Sequence, residues 1–335
     1  MSLSSNRPPS IRKVYRVGAM LTLFRPQRLP DKPQQHIVTQ GAIPTWPTLY
    51  ASEEEHKTTW ERPIEACYAH DVAYTPPAVG SITLERRLSG GARDEHAAQV
   101  WRVQSDISSV PLVARIYDPL YYPSIDDRFK EIERAVAIEN ETYTLLQDLQ
   151  GSHLPVLSGI FVAEILDTAR PRHFYVVLAE YVPGQDLLNL LKQHDPKGDK
   201  SCHGHKAAFI DCAARLVLDF FARGVLPSDL HPRNLVLDVP EQASNENFCD
   251  WEECPWRNKL LIDIESPSAF PNHPYTLRAR MIDLEHVNFF KFPAERQNIL
   301  YSRHWVACLW KAPWLTQEAR DILGRWTPPT TTDDG

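Results

Sequence analysis

The alternation of apolar and polar residues changes at residue 81, and from there it predicts an ordered domain. Residues 82–88 alternate apolar and polar side chains, as a strand with one buried face does. The same reasoning predicts strands at 99–103, 111–117, 156–161 and 174–178. Residues 127–150 repeat their apolar positions at helical spacing, and Gly151 is suited to end that helix. Strands and one helix therefore share this part of the chain, which indicates an α+β arrangement.

The chain from 183 to 325 is predicted to be mainly helical. Residues 206–223 place apolar side chains on one helical face, and Gly224 would end this helix. Two short strands are predicted at 234–237 and 280–282, with an insertion at about 239–278 between them. Helical patterns follow at 296–309 and 316–324, and residues 326–335 have the composition of a disordered tail.

Residues 1–78 form a proline-rich extension with no sustained period, which predicts a partly disordered segment. The first 30 residues hold six Lys or Arg and no acid, around a short apolar patch at 17–24. This composition has some features of a mitochondrial transit peptide. A disordered basic tail is the favoured interpretation.

Composition and charge indicate which classes of binding partner are expected. The chain has 335 residues, a net charge of -7 and a pI near 6.0, whereas nucleic-acid binders are more often basic. No apolar run approaches the roughly 18 residues of a membrane span, so neither nucleic acid nor membrane is an expected partner. The six cysteines show no dense disulfide framework, which favours free thiols in the cytoplasm, with mitochondria as the alternative. The oligomeric state is left open.

The candidate chemistry lies around Asp229 and Asn234, which stand five residues apart between a predicted helix and a strand. Asp283 follows a second apolar pair, Met-Ile. Phosphoryl transfer requires this set of side chains, because one carboxylate orients the acceptor hydroxyl while an Asn and a second carboxylate hold Mg²⁺. Asp263, in a similar Leu-Ile-Asp pattern, is the alternative to Asp283.

With these residues and the strand Leu-Val-Ala-Arg115, residues 81 to about 315 resemble the protein kinase-like superfamily. The resemblance is closer to the aminoglycoside- and choline-phosphotransferase-like branch and to fungal kinase-like proteins than to ordinary protein kinases. It implies a two-lobed protein kinase-like fold: a small antiparallel-sheet N-lobe with one helix and a hinge at 79–182, and a mainly helical C-lobe at 183–325.

The resemblance also implies roles for the candidate residues, with ATP and Mg²⁺ as cofactors. Asp229 would be the catalytic base, and Asn234 and Asp283 would hold magnesium. Arg115 would contact the α- and β-phosphates and would pair with Glu139 of the helix, with Glu141 as the alternative partner. Backbone groups near the nucleotide would come from the predicted turn at Ser89, Gly90 and Gly91 and from the connector residues Glu180 and Val182.

Two departures from the family pattern bear on activity. Arg115 stands where the family has Lys, and Pro227 stands where a His is usual two residues before the catalytic Asp. Arg is bulkier and planar, so this exchange is not conservative. The sequence therefore predicts an ATP- and Mg²⁺-dependent phosphotransferase acting on a hydroxyl acceptor, with a catalytically impaired nucleotide-binding or scaffolding pseudokinase as the alternative. Residues 284–335 are too few for the helical platform that holds protein substrates, which favours a small-molecule acceptor.

Overall fold

The computed structural model describes residues 14–33, 35–37, 72–90, 98–121, 128–167, 170–187, 189, 216, 217, 219, 220, 223–227, 232–237 and 279–291. The chain divides into two compact units. The first unit holds the described residues up to 33, those from 72 to 144 and those from 155 to 181. The remaining described residues belong to the second unit.

The first unit is built on a closed antiparallel sheet with the strand order β1-β3-β4-β5-β7-β6. Its strands are β1 Met20–Pro26, β3 Tyr74–Gly90, β4 Gln99–Ser105, β5 Leu112–Tyr117, β6 Leu157–Asp167 and β7 Arg170–Glu180. The five strands predicted from the alternation are confirmed, most of them with longer bounds. The strands were therefore encoded in the local pattern, and their antiparallel pairing agrees with the sheet that the family resemblance implies.

Strand β1 was not predicted, because it lies in the proline-rich extension. Thr22 pairs with Ser81 of β3 on one side and with Glu164 of β6 on the other, so β1 joins the two edges that the other five strands would leave open. The side chains of Leu21 and Leu23 are fully buried. The apolar patch at 17–24 is thus explained, at least in part, by a core strand that removes exposed sheet edges.

One helix, α1 Arg128–Leu145, packs on the outside of the sheet, followed by a 3-10 turn at Gln147–Leu149. This confirms the helix predicted at 127–150, and Gly151 follows with a φ of 79°. Alternate strand residues fill the inside of the closed sheet, among them Leu84, Trp101, Ala114, Ile116, Phe174 and Val176. A second core lies between α1 and the outer face, formed by residues such as Phe24, Tyr117, Ile132, Val136, Tyr175 and Val177.

The second unit contains short strands in two small sheets. These strands are β2 His36–Ile37, β8 Gln185–Asp186, β9 Val225–Pro227, β10 Leu235–Leu237, β11 Ala279–Met281 and β12 Val287–Lys291. β10 pairs with β11 and β8, and β12 pairs with β9 and β2. The strands predicted at 234–237 and 280–282 therefore exist and pair with each other. Gly224 has a φ of 75°, and a Cβ there would lie 2.1 Å from the Phe290 carbonyl oxygen, so glycine is required.

Most of the predicted helical part lies outside the described residues. Within 206–223, the described positions 216, 217, 219 and 220 are helical, and the side chains of Leu216, Val217 and Phe220 are buried. The segments 239–278, 296–309, 316–324 and 326–335 cannot be compared with the predictions, since they fall outside the described ranges. Among the residues that the structure describes, none of the helices has the length and apolar character that crossing a membrane requires.

Candidate functional site

Strand β5 places Arg115 on the outer face of the closed sheet. Leu112, Ala114 and Ile116 alternate with it and point into the core, so Arg115 must face outward. Its neighbours in the ladder are Val100 and Val177. Arg115 is nevertheless only 8% exposed, which requires that its charge be compensated by a nearby group.

Glu139 of α1 provides that compensation. The Nη1 group of Arg115 donates a hydrogen bond to Oε1 of Glu139, whose side chain is fully buried. The predicted pairing of Arg115 with Glu139 is therefore present in the structure. The other carboxylate oxygen of Glu139, Oε2, is also buried and has no hydrogen-bond partner among the described residues. The pair thus leaves one acceptor oxygen unsatisfied within the described part of the chain.

Glu141, the alternative partner, has a different neighbour. Its Oε2 atom lies 2.9 Å from Nζ of Lys32, in the segment that follows β1. This contact was not predicted from the sequence, because Lys32 lies in the proline-rich extension, 109 positions before Glu141. Of the two acids, Glu139 is the one placed to hold Arg115.

Tyr143 lies one helical turn beyond Glu139, and its pKa is affected by the charges of Arg115 and Glu180. Burial raises the pKa of Tyr143 to about 12, with Arg115 acting to lower it and Glu180 to raise it further. Tyr143 is only 3% exposed. Its phenol is therefore a neutral group beside the Arg115 cation, close enough to Glu180 for the two charges to act on it together.

Glu180 ends β7 and is held by the sheet. Its backbone N–H donates to the Val156 carbonyl at 2.9 Å, and its Oε2 accepts from the Val156 N–H at 3.1 Å. Tyr181 follows, and the Arg102 guanidinium lies 4.9 Å from the centre of its ring. Val182, in the second unit, is buried, and its backbone has no hydrogen bond to another described residue.

Two residues of the predicted glycine turn belong to a strand instead. Ser89 and Gly90 were expected to form a turn with Gly91, but both belong to β3 and pair with Val100 and Gln99. The strand continues because two bulges adjust its register and let the ladder extend to Gly90. Gly91 lies outside the described residues. Phosphate binding by these three residues remains a prediction.

The second unit brings the segments of Asn234 and Asp283 together. Asn234 ends a 3-10 turn directly before β10, and Asp283 follows β11. β10 pairs with β11, starting at Leu235 opposite Met281, and the Ile282 N–H donates to the Asn234 carbonyl at 2.9 Å. β9 and β12, the strands before and after these segments, also pair with each other. The nested pairing thus places Asn234 next to Ile282, the residue before Asp283.

The local geometry of the two metal candidates differs. Asn234 is 5% exposed, whereas Asp283 is partly exposed, with its Oδ1 accepting from the Glu285 N–H at 3.2 Å. An amide oxygen and a carboxylate are suitable ligands for a hard cation such as Mg²⁺. Asp229, the predicted base, and Asp263, the alternative metal acid, lie outside the described residues. Their roles stay predictions.

Several solved structures are similar to this chain at low sequence identity. No family model matches the chain, and no curated protein matches it. A kinase domain of ROP18 in complex with AMP-PNP and sucrose is 14% identical over 47% of this chain and 48% of that chain, with a TM-score of 0.35. WaaP in complex with acyl carrier protein is 17% identical over 79% and 81%, with a TM-score of 0.39. The PknI kinase domain of Mycobacterium tuberculosis is 16% identical over 64% of each chain, with a TM-score of 0.36.

The chain therefore spans about half the length of the ROP18 domain and less than two thirds of the PknI domain. Identities and TM-scores this low carry no argument about the fold or activity of the chain. The interpretation has to come from its own residues.

Proposed function

We propose that the chain is a kinase-like phosphotransferase that uses ATP and Mg²⁺ to transfer the γ-phosphoryl group to a hydroxyl acceptor. The observation that carries the proposal is the buried ion pair between Arg115 on a central strand and Glu139 on the packed helix. Kinase-like enzymes need a strand cation that is paired with an acid of the packed helix, because this pair positions the cation on the phosphates of the nucleotide. The acceptor that we propose is a small molecule.

In the first unit, Arg115 would bind the α- and β-phosphates while Glu139 holds its guanidinium in place. Val100 and Val113 lie on the same outer face as Arg115 and are half-buried, which suits contact with an apolar ring system. A backbone group of Glu180, which ends β7, would bind the base of the nucleotide. Ser89, Gly90 and Gly91 would bring backbone amides towards the phosphates.

In the second unit, Asn234 and Asp283 would hold magnesium, which neutralises phosphate charge when it is bound. The nested pairing of β9 with β12 and of β10 with β11 supports this assignment. It places Asn234 next to the connection that carries Asp283. Asp229 would accept the proton of the attacking hydroxyl, so that the oxygen can form its bond to phosphorus as the bond to the β-phosphate oxygen breaks.

A second candidate is a pseudokinase that binds a nucleotide without efficient turnover. Two observations favour it. The planar Arg115 guanidinium takes the place of a compact ammonium group. Pro227 is a buried residue of β9 opposite Val287, so this position offers no polar side chain to the neighbouring loop.

The first test is the thermal midpoint of the full chain with and without ATP and Mg²⁺. A ligand at about 100 times its Kd stabilises a protein by about 2.7 kcal/mol, so the wild type should show a clear increase. Asp283→Ala should lose the part of the increase that depends on magnesium. Asp148→Ala is a matched control in the same unit, since Asp148 is an exposed acid that pairs with Arg223. It should keep the increase.

ADP formation then separates the two candidates. An increase in midpoint together with ADP formation that requires Asp229 supports the phosphotransferase. The same increase without ADP formation, over a wide set of hydroxyl compounds, supports the pseudokinase. The absence of any increase at millimolar nucleotide would rule out both.

A further inference from the structure

The segment that follows β1, residues 27–33, brings a lysine against the helix that carries Glu139. Nζ of Lys32 lies 2.9 Å from Oε2 of Glu141. The Lys32 side chain is 71% exposed, whereas that of Glu141 is only 5% exposed. Lys32 therefore reaches from the surface to a carboxylate that is almost completely removed from water.

Helix α1 thus carries two buried acids with two different cations. Arg115 of β5 donates a hydrogen bond to Glu139, whereas Lys32 forms an ion pair with Glu141 whose Oε2 atom accepts no hydrogen bond within the described residues. Residues two apart on a helix differ by about 200° in direction, so the two acids anchor different sides of α1. Because a buried carboxylate without a cation is unfavourable, both contacts constrain the rotation of the helix about its axis.

The apolar packing supports the same link between α1 and the N-terminal part of the chain. Phe24 of β1 belongs to the core formed with Ile132 and Val136 of the helix. β1 is in turn fixed in the sheet by pairing with β3 and β6. Residues 27–33 therefore leave a rigid strand, which limits the positions that Lys32 can reach.

We propose that Lys32 is a positioning residue that holds α1 in the orientation in which Glu139 pairs with Arg115. Without Lys32, Glu141 is a buried carboxylate that has lost this cation, which favours a turn of the side chain towards water. A turn of the helix moves Glu139 by the same angle, because the two residues belong to one rigid element. The effect of Lys32 on nucleotide binding rests on the proposed function, whereas its effect on the helix does not.

The test compares four full-length proteins: wild type, Lys32→Ala, Lys32→Arg and Arg28→Ala. Arg28 is a matched control, since it is an exposed cation of the same segment and pairs with the exposed Asp31. Hydrogen–deuterium exchange of peptides covering 128–145 is measured without nucleotide. Lys32→Ala should accelerate exchange of the protected amides about tenfold, Lys32→Arg should restore protection, and Arg28→Ala should match the wild type.

The apparent Kd for MgATP gives the second measurement. We expect Lys32→Ala to raise it about tenfold, with recovery in Lys32→Arg. Unchanged exchange in Lys32→Ala would overturn the proposal, and so would faster exchange that Lys32→Arg does not reverse. A wild type that does not respond to MgATP would instead defeat the proposed function, and the exchange data alone would then decide the role of Lys32.

Discussion

Two buried arginine–carboxylate pairs in the first unit differ in how completely the carboxylate is satisfied. Asp118, directly after β5, accepts hydrogen bonds on both oxygens. Its Oδ2 accepts from the Tyr15 hydroxyl at 2.6 Å and from Nη2 of Arg172 at 2.9 Å, and its Oδ1 accepts from the Leu120 N–H at 3.0 Å. Asp118 is 3% exposed, so these bonds replace its contact with water.

Glu139 also pairs with an arginine, but only its Oε1 atom accepts a hydrogen bond from a described residue. Its Oε2 atom is buried without one. A buried carboxylate whose two oxygens both accept hydrogen bonds stabilises a fold, whereas a buried carboxylate oxygen without a hydrogen bond is more often found where function requires it. Arg115 and Asp118, one residue from each pair, lie three positions apart on the chain. We infer that Asp118–Arg172 is part of the framework and that Arg115–Glu139 is part of the site.

The largest expected effect comes from breaking the framework pair. Asp118→Ala should lower the free energy of unfolding by about 3–5 kcal/mol, because Arg172 would stay buried without its carboxylate. Denaturant unfolding of the full chain measures this loss. MgATP should still raise the unfolding midpoint of the Asp118→Ala protein.

Asp106→Ala is the matched control for this change. Asp106 also accepts hydrogen bonds, from the Ser81 N–H at 2.7 Å and the Ser81 hydroxyl at 2.9 Å, but it is exposed. Its removal should cost much less than that of Asp118. Equal losses in the two variants would mean that burial of the Asp118 network adds nothing to stability.

The framework pair also shows what the sequence could not predict. Arg115 and Glu139 could be paired in advance, because each stands in a strongly periodic element and the family resemblance relates them. Tyr15 and Asp118 are 103 positions apart, and Asp118 and Arg172 are 54 apart. Periodicity predicts which face of a segment is buried, but it does not predict which distant segment covers that face.

Strand β1 and Lys32 escaped prediction for the same reason. Leu21 and Leu23 alternate over too short a stretch, between prolines, to be distinguished from an apolar patch in a tail. The contact of Lys32 with Glu141 depends on the path of the chain after β1. The sheet, the helix and the segments around Asn234 and Asp283 were thus predictable from local pattern, while the closure of the sheet was not.

A matched apolar exchange at both pairs should separate their roles. In Arg115→Met/Glu139→Leu, the ion pair is replaced by apolar side chains, which leaves stability unchanged or raises it by about 1–4 kcal/mol. The stabilisation by MgATP, about 2.7 kcal/mol at 100 times the Kd, should disappear. Thermal midpoints with and without MgATP measure both quantities.

The same exchange at the framework pair, Asp118→Leu/Arg172→Met, should behave in the opposite way. It leaves the Tyr15 hydroxyl and the Leu120 N–H buried without their acceptor, at about 1–3 kcal/mol for each group. The response to MgATP should remain. Equal losses of stability in the two double variants, or loss of the MgATP response in both, would contradict the division into framework and site.

The smallest expected effect is a difference between the tyrosines of the two pairs at high pH. Burial raises the pKa of Tyr143 from its usual 10 to about 12, so the folded state keeps this proton at a pH where the unfolded chain loses it. Stability from this group is complete below pH 10 and falls as the pH rises towards 12, by about 1.4 kcal/mol at pH 11. Urea unfolding at pH 8 and pH 11 should therefore show a smaller loss of unfolding free energy at the higher pH in Tyr143→Phe than in the wild type.

Tyr15→Phe should also lose less stability at high pH than the wild type, because burial, followed by the Asp118 charge, raises the pKa of Tyr15. Tyr15→Phe should already be less stable than the wild type at pH 8, since it lacks the hydrogen bond to Asp118. Unchanged stability of this variant at pH 8 would show that Tyr15 contributes nothing to the framework pair.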